Sequence, residues 1–281
     1  MSRTHDLASR DAPLEYWFWT VRTPEVGLIV DLIVRRELGL AEVRVSSWTP
    51  TAQPVVHEVS TAWSADAFGV RVGPAHLDAN GSMGSAGQIA WDLTWELGAT
   101  RLAPRPGWLG PLHPFDMELV GRPRAHLRGS VHLGDRTLLL DDPGTVNHYW
   151  GRRLPDSWAW VSVVGSDEDR GFGLEALLVD SRLWGRPPRI PAGYVWLLEQ
   201  DRVEQTVVPL TGVVSASAGA SHVDITSRRL DGRRHRISCS AASDSFNDAG
   251  EGIRQSVLAS ASLDGRQIVA STAMLELRSR V

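Results

Sequence analysis

His126-Leu127-Arg128-Gly129-Ser130-Val131-His132-Leu133 places Leu127, Val131 and Leu133 at even spacing among polar or small residues. A period of two is the mark of a strand with one face buried and one face wet. Gly134-Asp135 follows at once as a turn. Similar punctuation recurs at Asn80-Gly81, Asp231-Gly232 and Asp264-Gly265. The two Asp-Gly pairs lie between alternating runs, residues 223–225 with 237–239 and residues 257–263 with 267–270, and each predicts a tight hairpin. Short strands at close spacing point to an all-β barrel or sandwich and not to βαβ units. Residues 24–36 have the length and Leu/Ile content of a helix, but crowded β-branched residues favour a long buried strand or hairpin. Residues 103–123 hold five prolines and three glycines, and residues 185–191 are a second Pro-rich stretch. Both read as connectors, because proline cannot donate to a central ladder. The Ser/Ala/Gly run over residues 212–221 reads as a loop.

The composition excludes several classes. A net charge of -4, with 29 arginines as the basic side chains, offers no basic field for nucleic acid. One cysteine, Cys239, allows no internal disulfide and has no zinc-site companions. His57, His76, His113 and His126 show no metal-ligand spacing. The Gly/Ser-rich residues 79–88 lack the Lys of a phosphate loop, and no Gly-x-Ser-x-Gly elbow occurs. No apolar run reaches the roughly 18–20 residues of a membrane span. The opening Met1-Ser2-Arg3-Thr4-His5-Asp6 lacks a signal-peptide pattern, so a cytoplasmic location is expected.

Twelve tryptophans against three tyrosines and five phenylalanines are the strongest compositional signal. Trp17/Trp19 and Trp158/Trp160 are spaced i, i+2, which puts each pair on one face of a strand. Indoles of this kind either plug a barrel or line an apolar pocket, where their faces suit polyenes, rings and cations.

Three segments carry a resemblance. They are Leu14-Glu15-Tyr16-Trp17-Phe18-Trp19, Ile89-Ala90-Trp91-Asp92-Leu93-Thr94-Trp95, and Asn147-His148-Tyr149-Trp150-Gly151 followed by Trp158-Ala159-Trp160. Together they resemble the CrtC/AttH-like proteins. That group includes carotenoid 1,2-hydratase and shares its fold with tocopherol-cyclase-like proteins and natural-product Diels–Alderases. The resemblance implies two lipocalin-like antiparallel β-barrels, set here at residues 1–115 and 116–281, with a ligand pocket at or near their interface. It implies chemistry on a hydrophobic small molecule with no cofactor. His148, Asn147 and Glu15 are the expected catalytic groups. Trp17, Trp19, Trp91, Trp150, Trp158, Trp160 and Tyr149 are the expected substrate-binding residues. Asn147 stands where the group's signature has Asp, and an amide cannot protonate an alkene. The expected activity is therefore a cyclase or pericyclase acting on a polyene polyketide or terpenoid. A hydratase using Asp141 or Asp142 is the alternative, and a non-catalytic lipid carrier is the third reading. His148 and Glu15 also read as structural residues. Asp92 faces away from its Trp neighbours, and Arg152-Arg153 reads either as a solvated strand end or as a grip on an anionic group.

Overall fold

The computed structural model describes residues 6–49, 52–60, 62–103, 117–165, 172–183, 186–199, 202–208, 210–268 and 270–278. Among them the chain is all-β, with short 3-10 turns at Arg36–Leu38 and Ser243–Ser245 and no α-helix. It folds as two compact units, the first ending at Leu154 and the second beginning at Pro155, with residues 52–54 grouped in the second.

The first unit is built from β1 (Leu14–Arg22), β2 (Gly27–Arg35), β3 (Leu40–Thr49), β4 (Ala52–Ser60), β5 (Trp63–Ala65) and β6 (Gly69–Val72). It continues with β7 (Ala75–Asp78), β8 (Gly81–Ala86), β9 (Ile89–Glu96), β10 (Met117–Leu133) and β11 (Arg136–Gly151). Their order is β4-β3-β2-β1-β11-β10-β9-β8-β7-β6-β5, and the sheet curls into a nearly closed antiparallel barrel. Trp17, Trp19, Val21, Leu28, Val30, Leu32, Val43, Val45, Trp91, Leu127 and Val146 fill its interior. The second strand, Gly-Leu-Ile-Val-Asp-Leu-Ile-Val-Arg, is buried on both faces. That explains why it reads as a continuous apolar run and not as an alternation.

The second unit holds β12 (Trp158–Gly165), β13 (Gly173–Leu183), β14 (Arg186–Glu199), β15 (Arg202–Val208), β16 (Gly212–Ala218) and β17 (His222–Arg229). The remaining strands are β18 (Arg234–Ser240), β19 (Asn247–Asp248), β20 (Ile253–Ser256), β21 (Ser260–Leu263), β22 (Arg266–Gln267) and β23 (Ala270–Arg278). They form one sheet of order β15-β14-β13-β12-β23-β20-β19 and another of order β16-β17-β18-β21-β22. Val161, Val163, Leu174, Val195 and Leu275 from the first pack with Val223, Ile225, Ile237 and Cys239 from the second in one core.

The unit boundary corrects the expected division at 115/116. Strands β10 and β11, residues 117–151, pair with β9 and β1 and so complete the first barrel. Of the expected Pro-rich connector, residues 104–116 lie outside the described residues. The remainder begins β10, where Pro123 sits in a register shift between Arg122 and Ala125. A bulge is where a strand tolerates a residue without an N–H. Similarly, residues 186–191 open β14, beside an irregularity between Arg182 and Leu183. Residues 212–218 are strand β16, paired along β17 at the edge of its sheet. Both expected Asp-Gly hairpins are present, joining β17 to β18 and β21 to β22.

Candidate functional site

The signature strand β11 lies beside β1, with Trp17 opposite His148, Phe18 opposite Asn147 and Glu15 opposite Trp150. Side chains alternate along a strand. His148 and Trp150 therefore share the barrel-interior face with Glu15, Trp17 and Trp19. Asn147 and Tyr149 share the opposite face with Tyr16 and Phe18. His148 and Asn147, both expected as catalytic groups, therefore lie on opposite faces of β11, because adjacent residues in a strand point apart.

Glu15 is fully buried and surrounded by donors. Ser9 Oγ (2.7 Å) and Arg36 Nη2 (2.8 Å) donate to Oε1, the Arg10 backbone N–H donates to Oε2 (2.7 Å), and His148 Nε2 lies 3.1 Å from Oε2. Burial alone raises a carboxyl pKa. Here the His148, Arg10, Arg36 and Ser9 contacts outweigh it and lower Glu15 to about 2. The carboxylate is therefore ionised at neutral pH and cannot act as an acid. His148 is also fully buried, stacked on Trp17 at 4.5 Å and 8°. Its Nδ1 lies 3.1 Å from the Asp6 carbonyl oxygen. Burial pushes the imidazole below its ordinary pKa, against the pull of Glu15 and of the Asp6 carbonyl. A neutral ring has one N–H for two acceptors, and the charged one, Glu15, is the stronger.

This cluster anchors the chain that crosses it. The Asp6 carboxylate pairs with Arg101 and Arg122, Leu7 O accepts the Trp17 indole N–H at 2.9 Å, and Arg10 lies over the Trp150 ring at 5.1 Å. Residues 6–10 thus cover Trp17, His148 and Glu15. Trp91 donates to Ser82 Oγ at 2.9 Å, and Trp19 meets Trp91 edge-on at 6.2 Å. Trp17, Trp19 and Trp91 belong to the hydrophobic core of the barrel, packed with Val21, Val30 and Leu127. Trp150 is half-buried, and Tyr149 stacks on Phe18 at 5.5 Å.

The other two expected indoles lie in the second unit with a group that sequence reasoning missed. Along one face of the seven-stranded sheet, Ser162, Glu175 and Trp196 are directly opposite one another on β12, β13 and β14. The next row carries Trp160, Leu177 and Tyr194, flanked by Glu276 on β23. Glu175 is 0% exposed. Tyr194 Oη donates to its Oε1 at 2.5 Å. Its Oε2, Ser162 Oγ and Trp196 Nε1 are buried without a hydrogen-bond partner among the described residues. Burial raises the Glu175 carboxyl to about 7, only partly offset by Tyr194 and Trp160. Toward Leu177 and Trp158 the same face becomes half-exposed. Trp158 is held there by Glu276 Oε1 at 2.6 Å and by Arg278, 5.0 Å over its ring. The available signal was a lone acid in the apolar run Phe172-Gly173-Leu174-Glu175-Ala176-Leu177-Leu178-Val179.

Asp141, expected as an acid for hydration, is exposed, and its pKa is lowered by contacts from His126 and Arg128. A carboxylate so held keeps its charge and is no proton donor. Among the described residues no group of three His, Cys, Asp or Glu side chains could hold a metal ion, and no helix is long and apolar enough to cross a membrane.

No protein-family model matches the chain, and no curated protein matches it in sequence. Solved structures do match. A protein assigned as AttH from Nitrosomonas europaea superposes with TM-score 0.71 at 12% identity, over 100% of this chain and 97% of that one. Kievitone hydratase of Nectria haematococca superposes with TM-score 0.66 at 11% identity, over 99% and 92%. CghA, solved with Sch210972, superposes with TM-score 0.65 at 8% identity, over 95% and 88%. At these identities the likeness is one of fold: all three share the all-β architecture of this chain.

Proposed function

We propose that the chain is an enzyme that protonates an unsaturated bond of an apolar small molecule from Glu175, and so closes a ring or adds water without a redox cofactor. The observation that carries this reading is a fully buried carboxyl, held near pKa 7, among the indoles of Trp160 and Trp196. An acid whose pKa lies near the working pH combines a large protonated fraction with driving force for transfer. The proton leaves Glu175 for one alkene carbon, and the π pair forms the new C–H bond. The neighbouring carbon becomes a cation, which indole faces stabilise. An internal nucleophile or a water oxygen then supplies an electron pair to that carbon, and its displaced proton returns to the Glu175 carboxylate. Tyr194, donating to Oε1, stabilises the carboxylate while its proton is away. Solved structures similar to the chain include kievitone hydratase and CghA, and the family resemblance takes in both hydratases and Diels–Alderases, which supports a fold suited to either outcome. Prenylated and polyene natural products are the substrate class that this chemistry fits.

The test is turnover of a panel of prenylated phenols and linear polyenes in deuterated water, comparing the wild type with Glu175→Gln. The wild type is expected to place one solvent deuterium on carbon. A mass unchanged apart from exchange marks ring closure, and a gain of one water marks hydration. The variant is expected to lose roughly 10²–10⁴-fold in rate. Product lacking carbon-bound deuterium, or a variant with wild-type turnover, overturns the reading.

A further inference from the structure

Strand β11 outruns its neighbour β1. Pairing with β1 stops at Val21 opposite Gly144, whereas pairing with β10 continues to Arg136. Residues 136–143 are therefore paired on one side only among the described residues. The turn between β10 and β11 has two residues, Gly134-Asp135, which makes Leu133 and Arg136 a hydrogen-bonded pair. Bonding alternates along an antiparallel ladder. Leu138, Leu140 and Asp142 thus bond toward β10, and Thr137, Leu139 and Asp141 aim their N–H and C=O groups at the open side. The Asp141 N–H accordingly donates to Asp142 Oδ2 at 3.2 Å. Beside this edge lies a groove of about 630 Å³, bounded on its other side by Thr23, Pro24 and Glu25 of the β1–β2 turn. Leu139 is 83% exposed. One exposed leucine is ordinary. An open ladder edge that carries one calls for a partner, because proteins otherwise blunt or cover such edges.

We propose that a second copy of the chain pairs at this edge, β11 against β11, about a two-fold axis through Leu139. The segment Arg136-Thr137-Leu138-Leu139-Leu140-Asp141-Asp142 is complementary to its own reverse. Leu139 falls opposite Leu139 of the second copy, Leu138 opposite Leu140, Thr137 opposite Asp141 and Arg136 opposite Asp142. Cation meets carboxylate at both ends, leucine meets leucine in the middle, and no like charges stand directly opposite. The backbone agrees with the side chains. An axis at Leu139 makes that residue a hydrogen-bonded pair with its own copy, and Thr137 and Asp141 likewise exchange both bonds, so every group aimed at the open side is used. This is the isologous contact that a two-fold dimer requires. An extended segment of another protein would meet the same backbone but not the same ordered charges. The Arg136–Glu25 pair, at 2.9 Å and more than half exposed on both sides, costs little to exchange for the Asp142 of the second copy. The surface lies in the first unit and does not rest on the Glu175 reading.

One strand on one strand is smaller than a standard interface, so a dissociation constant of roughly 10–100 μM is expected. Sedimentation equilibrium of the full chain across that range is expected to show the mass rise from 30.8 kDa toward twice that value. Leu139→Lys sets two cations against each other on the axis, at a side chain too exposed to disturb the fold, and is expected to weaken the dimer about tenfold or more. Arg136→Asp and Asp142→Arg are each expected to weaken it and the double variant to restore it, which a role within one chain would not produce. Register is read by cross-linking. Cys239 is buried, so the wild type is the unlinked control. Leu139→Cys brings two thiols onto residues about 5.5 Å apart between Cα atoms, within disulfide reach, and is expected to give a covalent dimer on mild oxidation. Thr137→Cys stands roughly 13 Å along the ladder from its counterpart and is expected to stay unlinked. A chain that remains monomeric across the range overturns the proposal, also where the edge then takes an extended segment of another protein. So does a dimer that Leu139→Lys leaves intact, or cross-linking as efficient at residue 137 as at residue 139.

Discussion

The carboxylate of Glu15 is held by Ser9, Arg10, Arg36 and His148, whereas that of Glu175 has Tyr194 on one oxygen and no cation paired with it among the described residues. Both side chains are fully buried. Desolvation is thus common to the two, and the donors decide the sign. Glu15 falls from 4.5 to about 2 and Glu175 rises from 4.5 to about 7. A tenfold change in acidity corresponds to about 1.4 kcal/mol between protonation states. Glu15→Gln is therefore expected to destabilise the first unit by roughly 3 kcal/mol at pH 7. Urea unfolding would measure it, and a change below about 1 kcal/mol would show that the cluster is far more hydrated than its burial indicates. Asn147 and His148 carry a different lesson. Their neighbourhood in sequence suggests joint action, yet strand alternation sends one into the barrel and the other out of it.

Strand β10 shows how much a single glycine decides. Gly129 lies mid-strand at φ 141°, and a Cβ there would meet the Asp92 carbonyl oxygen at 2.1 Å. The partner is backbone and cannot swing away. Gly129→Ala is expected to cost roughly 2–3 kcal/mol through overpacking and backbone strain. Gly232, at φ 90° in the β17–β18 turn, has nothing within 4 Å of the same added atom. Gly232→Ala is expected to cost about 1 kcal/mol. Thermal melts of the two variants would compare them, and equal losses would mean that φ alone sets the cost. Proline behaves as a local rule predicts only in part. Pro123 reads as part of a connector and sits instead at a bulge inside a long strand, because a register shift removes the need for its N–H.

The two units are expected to answer pH in opposite directions. A lowered pKa contributes stability above 4.5 that is lost as pH falls from 4.5 toward 2, so the first unit weakens in acid through Glu15. For Glu175 the folded unit binds more protons than the unfolded chain between 4.5 and 7. Its contribution is complete below 4.5 and is lost as pH rises to about 7. Glu175→Gln is expected to remove that loss and to stabilise the second unit by roughly 3 kcal/mol at pH 8, with no gain at pH 4. Hydrogen exchange read separately over residues 14–151 and 158–278 distinguishes the units. One shared pH slope would contradict the assignment of these two glutamates.

The strand class was legible from local pattern alone. The period-two run at residues 126–133 is β10, and Asp231-Gly232 and Asp264-Gly265 are hairpin turns, because alternation and turn chemistry depend only on neighbouring residues. The indole spacings were equally legible as strand faces. Which indoles pack a barrel and which border an acid was not. Trp17 and Trp91 find their N–H partners at Leu7 and Ser82, whereas Trp160 shares a sheet face with Glu175. The boundary between units also escaped local reading, since β11 is claimed by β1 across the chain. Glu15 and His148 meet although 133 residues apart, and Glu175 has its pKa near 7 only because Tyr194, Trp160 and the packed sheet exclude water from it. Period and turns are written in adjacent residues and so were determined by the sequence. Burial and charge balance are set by side chains distant along the chain, and only the tertiary structure decided them.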